Sequence, residues 1–335
     1  MNNPVLVEVT RGPLVESRHR GAIAVVDAEG AAALTVGEVD EPIFPRSAVK
    51  ALQALPLVAS GAADELGLGD AELALACSSH SGEPAHTEAA ASMLAKAGRD
   101  EATLECGCHW PFEVKAARAL AERGERPSQL HNNCSGKHAG FVCLACASKV
   151  DPAGYVAPDH PVQETVRAAL EEVTGATLTE DRRGVDGCSI PTYAMPLTCL
   201  AYGFARFGAG AHLSADYARA ATRIRKAVAA NPFMVAGTGR FDTRLMEGLG
   251  PRVFLKTGAE GVYCAALPEL GLGVALKCED GATRAAEAMM AAVIRRFLDL
   301  DERERTLLDG FAASPVKNWN KHDVGEIRTV GPLSA

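Results

Sequence analysis

The chain has 335 residues, 47% of them hydrophobic and 23% charged, and a net charge of −8. That length supports a real hydrophobic core, in one large unit or two modest ones, and the acidic excess without any Lys/Arg block argues against a nucleic-acid partner. No apolar stretch approaches the roughly 20 residues that a membrane span needs, and Met-Asn-Asn-Pro opens the chain without the basic and apolar regions of a signal peptide.

In chain order, the first forty residues read as strands. Val5 to Val9 opens the run, and Ala22 to Val26 and Ala32 to Val36 flank the turn Asp27-Ala28-Glu29-Gly30. The middle reads as helices: Ser47 to Val58, Glu83 to Lys96, Phe112 to Arg123, Gly136 to Lys149, Pro161 to Val173, Leu197 to Phe207 and Ala215 to Ala230, with Gly and Pro between them. Leu73 to Ala76 reads as a short buried strand. Val253 to Lys256, Gly261 to Leu267 and Val274 to Cys278 are three further strands, followed by an amphipathic helix from about Ala282 to Leu298. Strands at both ends with helices between them predict an α+β fold. A single domain over 1–335 is expected, its antiparallel sheet drawn from about 4–40 and 252–280 and its helical region from about 47–250.

The ten cysteines do not form a dense disulfide scaffold, and Cys77, Cys143, Cys199 and Cys264 sit inside apolar runs as small buried hydrophobes, which points to a reducing, cytoplasmic compartment. Cys143 and Cys146 lie in an apolar helix and read as core. Cys106-Gly-Cys108-His109 has metal-like composition but no evident fourth partner, and it stays unassigned.

Ser47-Ala-Val-Lys50 is a Ser-x-x-Lys at a helix start, a spacing that brings a lysine amine toward a serine hydroxyl. A serine needs such a base to become a nucleophile, and a lysine serves only if burial or nearby positive charge lowers its pKa. Taken alone, the motif reads as an N-cap with a solvated lysine before it reads as catalysis, and Ser314-Pro-Val-Lys317 has the same spacing with no role assigned. Downstream, Lys256-Thr257-Gly258 closes a strand. Ser-x-x-Lys followed by Lys-Thr-Gly is the pair used by penicillin-binding proteins and class A β-lactamases. By itself the tripeptide is also a strand running into a turn. Cys77-Ser-Ser-His-Ser-Gly82 fits either an active-site loop or a polar turn before a helix, and it differs from the Ser-Asp-Asn of β-lactamases. His131-Asn-Asn-Cys-Ser-Gly-Lys-His138 is dense in ligands and donors, and reads equally as a helix-capping loop. Cys134 there and Cys188 further on belong to no Cys-x-x-Cys pair, so a four-thiolate zinc site is not indicated.

Taken together, Phe44-Pro-Arg-Ser-Ala-Val-Lys50, Cys77 to Gly82, His131 to His138, Gly184-Val-Asp-Gly-Cys-Ser-Ile-Pro191 and Leu255-Lys-Thr-Gly258 resemble the rhizobial, thermolabile or class 3 L-asparaginases. The resemblance implies a fold like that of serine β-lactamases, hydrolysis of L-asparagine to L-aspartate and ammonia, and a homodimer. It implies two Ser-Lys tandems, Ser47 with Lys50 as nucleophile and base, and Ser79 with Lys256 relaying protons or activating water. It also implies zinc held by Cys134, Lys137 and Cys188, with Asp186 on the substrate amine and Arg46 and His138 lining the pocket. Competing readings are a β-lactam-recognising acyltransferase or peptidase of the same fold, and a catalytically silent zinc- or small-molecule-binding protein.

Overall fold

The computed structural model describes residues 3–334. Ten strands form: β1 Val5–Arg11, β2 Leu14–Asp27, β3 Ala32–Val36, β4 Arg183–Val185, β5 Pro191–Tyr193, β6 Phe254–Thr257, β7 Val262–Leu267, β8 Leu272–Cys278, β9 Ala313–Lys317 and β10 Asp323–Thr329. Eight of them make one sheet in the order β6-β7-β8-β2-β1-β10-β9, with β3 also paired to β2, and every pairing is antiparallel. The expected α+β arrangement is therefore present. Strands from the two ends of the chain meet where Gly21 to Asp27 of β2 pair with Cys278 to Leu272 of β8, and the helices come from the middle.

The sheet is larger than the sequence pattern indicates. Its added parts are β9, β10 and the first half of β2, where only His19 is fully buried and many residues are charged. Their apolar periodicity is weak, because only one face meets the core. The helix Thr283–Phe297 is also not the last element: Glu302–Ala312 follows it, and then the β9–β10 hairpin.

Leu73 to Ala76 is not a strand. It is the end of the helix Asp70–Ala76, which begins with the Glu72 carboxylate accepting the Gly69 N–H at 2.8 Å. A four-residue apolar run has no period that separates strand from helix, and here alanines and a capping acid decide the matter. The expected Ser47 to Val58 helix is broken into a 3₁₀ turn, Arg46–Val49, and two short helices, Lys50–Gln53 and Leu55–Ala59.

The helix Ser135–Ala147 runs through the middle of the molecule, with every residue from Ser135 to Ala145 buried. A helix apolar on all sides must be covered on all sides. Its Gly136 is a contact point: a Cβ there would lie 2.4 Å from the Leu75 carbonyl oxygen. That close approach sets the first turn of this helix, Cys134 to Lys137, against the end of Asp70–Ala76 and the Cys77–Ser79 segment. No helix among the described residues is long and apolar enough to cross a membrane.

Candidate active site

Three lysines are buried side by side in chemistry if not in sequence: Lys50 is 1% exposed, Lys137 2% and Lys256 0%. An ammonium taken out of water costs several kcal/mol unless it is paired or loses its proton. Each of the three has found partners, and those partners are the motifs singled out above.

Lys50 uses its amine on the Ser78 carbonyl (2.5 Å), the Ser79 hydroxyl (3.0 Å) and the Cys134 thiol (3.1 Å). Lys256 reaches the same Ser79 hydroxyl at 2.8 Å and the Thr257 carbonyl at 2.7 Å. Ser79 Oγ therefore sits between two lysine amines. Burial, with Lys50 as a neighbouring cation, pulls Lys256 down from its usual value to about 7. The Ser79 backbone is fixed by its N–H to Val235 O at 2.9 Å, and the next residue by His80 N–H to Asn133 O at 3.2 Å.

Ser47 lies in the 3₁₀ turn, half-buried, directly after Arg46 at φ 51°. A non-glycine residue in the left-handed region is strained by about 1–3 kcal/mol and persists only where its surroundings hold it. The holding contact is ionic: the Arg46 guanidinium meets Asp186 Oδ1 at 2.9 and 3.0 Å. The amine of Lys50 turns to Ser79 and makes no hydrogen bond to Ser47 among the described residues. The strand bearing Lys256 is brought against this turn by Gly258, where an added Cβ would lie 2.7 Å from the Pro45 carbonyl oxygen.

Asp186 and Cys188 sit in the tight loop between β4 and β5, closed by Asp186 N–H to Ile190 O and Ser189 N–H to Asp186 O, both 2.8 Å. Reciprocal 3.0 Å bonds between Ile43 and Met195 strap this hairpin to the segment before Arg46. Cys188 and Cys134 share a hydrogen bond, which favours the thiolate on Cys134, helped by Lys50 and Lys137, and raises the Cys188 thiol together with burial. The Lys137 amine is 2.9 Å from Cys188 Sγ. Although burial opposes its charge, Cys188, Cys134 and Asp186 together hold Lys137 above the ordinary lysine value. The Asp186 carboxyl is lowered despite its burial, by Lys137 and Arg46. His138 is wholly buried, with Nδ1 at 2.6 Å from the Tyr155 hydroxyl and no partner for Nε2 among the described residues. Burial, with Lys137 and Lys50 nearby, keeps its ring neutral.

Six of the ten expected residues thus fall into two linked clusters, Lys50–Ser79–Lys256 and Cys134–Lys137–Cys188, with Lys50 joining them. Arg46–Asp186 bridges the Ser47 turn to the β4–β5 loop, while the His138 ring is turned to Tyr155 and hydrogen-bonds to none of the other nine among the described residues. With this geometry in place, comparison with known families is decisive. The L-asparaginase II family profile matches residues 7–329. The chain belongs to the L-asparaginase II family.

Membership makes it an asparaginase-type amidohydrolase by class. No curated protein sequence matches the chain. Among solved structures, a β-lactamase from Mycobacterium bovis is similar at a TM-score of 0.43, with 14% identity over 82% of this chain and 94% of that one. The protein Mglu, in its native form in 4.3 M NaCl, is similar at 0.39, with 15% identity over 90% of this chain and 66% of that one.

One residue beside these clusters has no counterpart in the sequence motifs. Asp242, wholly buried in the helix Phe241–Leu249, accepts the Thr257 N–H at 2.9 Å and the Tyr263 hydroxyl at 2.7 Å. It anchors the residue after Lys256 and sets a negative charge beside that amine. In the sequence it resembles any acid in the first turn of a helix, and only its burial distinguishes it.

Proposed function

We propose that the protein hydrolyses the side-chain amide of L-asparagine to L-aspartate and ammonia, as the rhizobial type of L-asparaginase does, with Ser47 as nucleophile. The observation carrying this reading is Ser79 Oγ held at 2.8 and 3.0 Å between two buried lysine amines, one of them lowered to about 7. A lysine with that value is about half neutral at pH 7 and can act as a base.

Neutral Lys256 accepts the Ser79 proton, Ser79 takes one from Lys50, and the neutral Lys50 amine swings from Ser79 to Ser47. Lys50 then removes the Ser47 proton as Ser47 attacks the amide carbon. The Ser47 backbone N–H, among the first-turn donors that a short helix leaves unsatisfied, supplies an oxyanion contact. The proton on Lys50 passes to the departing nitrogen, ammonia leaves, and water attacks the acyl-enzyme with the relay run in reverse. Asp186, ionised and fixed by Arg46, is placed to bind the substrate α-ammonium, and Arg46 to meet its α-carboxylate. His138 lines this pocket through its unpartnered nitrogen.

We further propose zinc at Cys134, Lys137 and Cys188. The donor set fits: two thiols already share a proton, one favoured as thiolate, with an amine 2.9 Å from the other. Bound there, zinc would supply a fixed positive charge that keeps the amine unprotonated and orients Asp186. Ammonia release from L-asparagine by the purified protein, with L-glutamine in parallel, tests the function. Release from asparagine that is lost in a folded Ser47→Ala variant supports it. Absence of release from either substrate, or full activity in the variant, rejects it.

A further inference from the structure

Away from the lysine clusters, three chemically different ligands converge where the two ends of the chain meet. His19 lies on β2, Cys278 ends β8, and Asp280 lies in the turn before the helix Thr283–Phe297. His19 Nδ1 is 2.6 Å from Asp280 Oδ2, the Cys278 thiol donates to Asp280 Oδ1 at 3.1 Å, and one donor atom from each of the three lies within 4.8 Å of the others. His19 is 4% exposed and Cys278 0%, whereas the Asp280 side chain is 49% exposed. Two buried soft ligands therefore face one carboxylate that opens to solvent.

We propose that His19, Cys278 and Asp280 form a binding site for a borderline-soft divalent cation of zinc's class, separate from the Cys134–Lys137–Cys188 set. The donors select the ion. One imidazole nitrogen, one sulfur and one carboxylate oxygen suit zinc, whereas calcium and magnesium demand oxygen. Zinc bonds of about 2.0–2.3 Å to four tetrahedral positions place donors about 3.3–3.8 Å apart, so side-chain movements of about 1 Å suffice. Charge also balances. Thiolate and carboxylate together carry two negative charges against the divalent ion: the Cys278 proton leaves to solvent, and the proton on His19 Nδ1 moves to Nε2 so that neutral imidazole donates through Nδ1. With Asp280 half exposed, water would fill the fourth position.

Two cations border the site without filling it. The Arg284 guanidinium lies 3.5 Å from His19 Nε2, the ring nitrogen turned away from Asp280. The Lys277 amine is spent on the carbonyls of Cys278 and Glu279. An ion held here would clip β2 to the turn after β8, His19 and Asp280 being 261 residues apart in sequence, a long loop whose closure disfavours the unfolded chain.

The test uses the full chain, stripped with chelator, reloaded with zinc, dialysed and assayed for metal per chain. Cys278→Ser should bind one equivalent fewer than wild type, and His19→Ala likewise. A Cys134→Ala/Cys188→Ala chain should keep one equivalent, and cobalt in that background should give a thiolate-to-metal charge-transfer band that Cys278→Ser removes. Zinc should raise the Tm of wild type more than that of Cys278→Ser. Equal zinc in wild type, Cys278→Ser and Asp280→Asn would overturn the proposal, as would a folded wild-type chain that binds none. If only the Cys134/Cys188 variant loses metal, zinc belongs to the lysine-linked thiols alone and this site is rejected.

Discussion

Replacing Lys256 with methionine should make the protein inactive and, at low pH, more stable. Burial and the Lys50 cation bring Lys256 from 10.5 to about 7. At 1.36 kcal/mol per pKa unit, that difference penalises the charged form by about 5 kcal/mol. The sign follows from proton counting. Between those two values the unfolded chain binds more protons than the folded one, so this group makes stability rise with pH. The penalty is fully present below pH 7 and has fallen to about 2 kcal/mol by pH 9. Methionine removes it but leaves the Thr257 carbonyl and the Ser79 hydroxyl short of a partner, a loss of about 1–3 kcal/mol at any pH. The variant should therefore exceed wild type by about 2–4 kcal/mol at pH 5.5 and roughly match it at pH 9. Denaturant unfolding of both proteins across that range measures the difference, and its change of about 3 kcal/mol is independent of the hydrogen-bond term. A flat difference would refute the depressed lysine.

Four further outcomes are expected. In wild type, kcat/KM should be lost as pH falls through about 7, because the protonated form of Lys256 cannot accept the Ser79 proton; an acid limb centred near 10 would contradict this. Asp242→Asn removes the charge that favours protonated Lys256, so the same limb should move to lower pH while kcat declines; a fall in kcat with an unmoved limb would mean that Asp242 is only structural. Gly258→Ala drives a methyl into the Pro45 carbonyl and displaces the Ser47 turn, and should lower kcat by about 100-fold, with circular dichroism unchanged; wild-type kcat would show that the contact does not position Ser47. Cys188→Ala should lose one equivalent of zinc by elemental analysis, and retention would remove Cys188 from the ligand set.

Much of the architecture was legible because its strongest elements carry strong local signals. Ala215–Ala230 has the predicted bounds, and β3 coincides with Ala32 to Val36. The halves that were not legible share a cause. Leu14 to Arg20 and the β9–β10 hairpin are strands held by backbone pairing to β1 and to each other, with little buried apolar surface to mark them. The site residues were visible one by one as helix starts, strand ends and polar loops. Their pairing was not. Spacing along a helix pointed Lys50 at Ser47, but the amine crosses instead to Ser78, Ser79 and Cys134. Contacts between residues 28 to 84 positions apart depend on how Gly136 lets two helices touch, which no local pattern encodes. Asp242 was hidden for the opposite reason: its local pattern is ordinary, and its burial is created entirely by the fold.

The most direct test of lysine-activated serine chemistry is to quench the enzyme during turnover of L-asparagine and map the acylated peptide by mass spectrometry. A β-aspartyl ester on the peptide containing Ser47, absent in Ser47→Ala and diminished in Ser79→Ala, which breaks the relay that frees Lys50, is the result expected here. An ester on Ser79, or undiminished turnover with no ester on either serine, would contradict it.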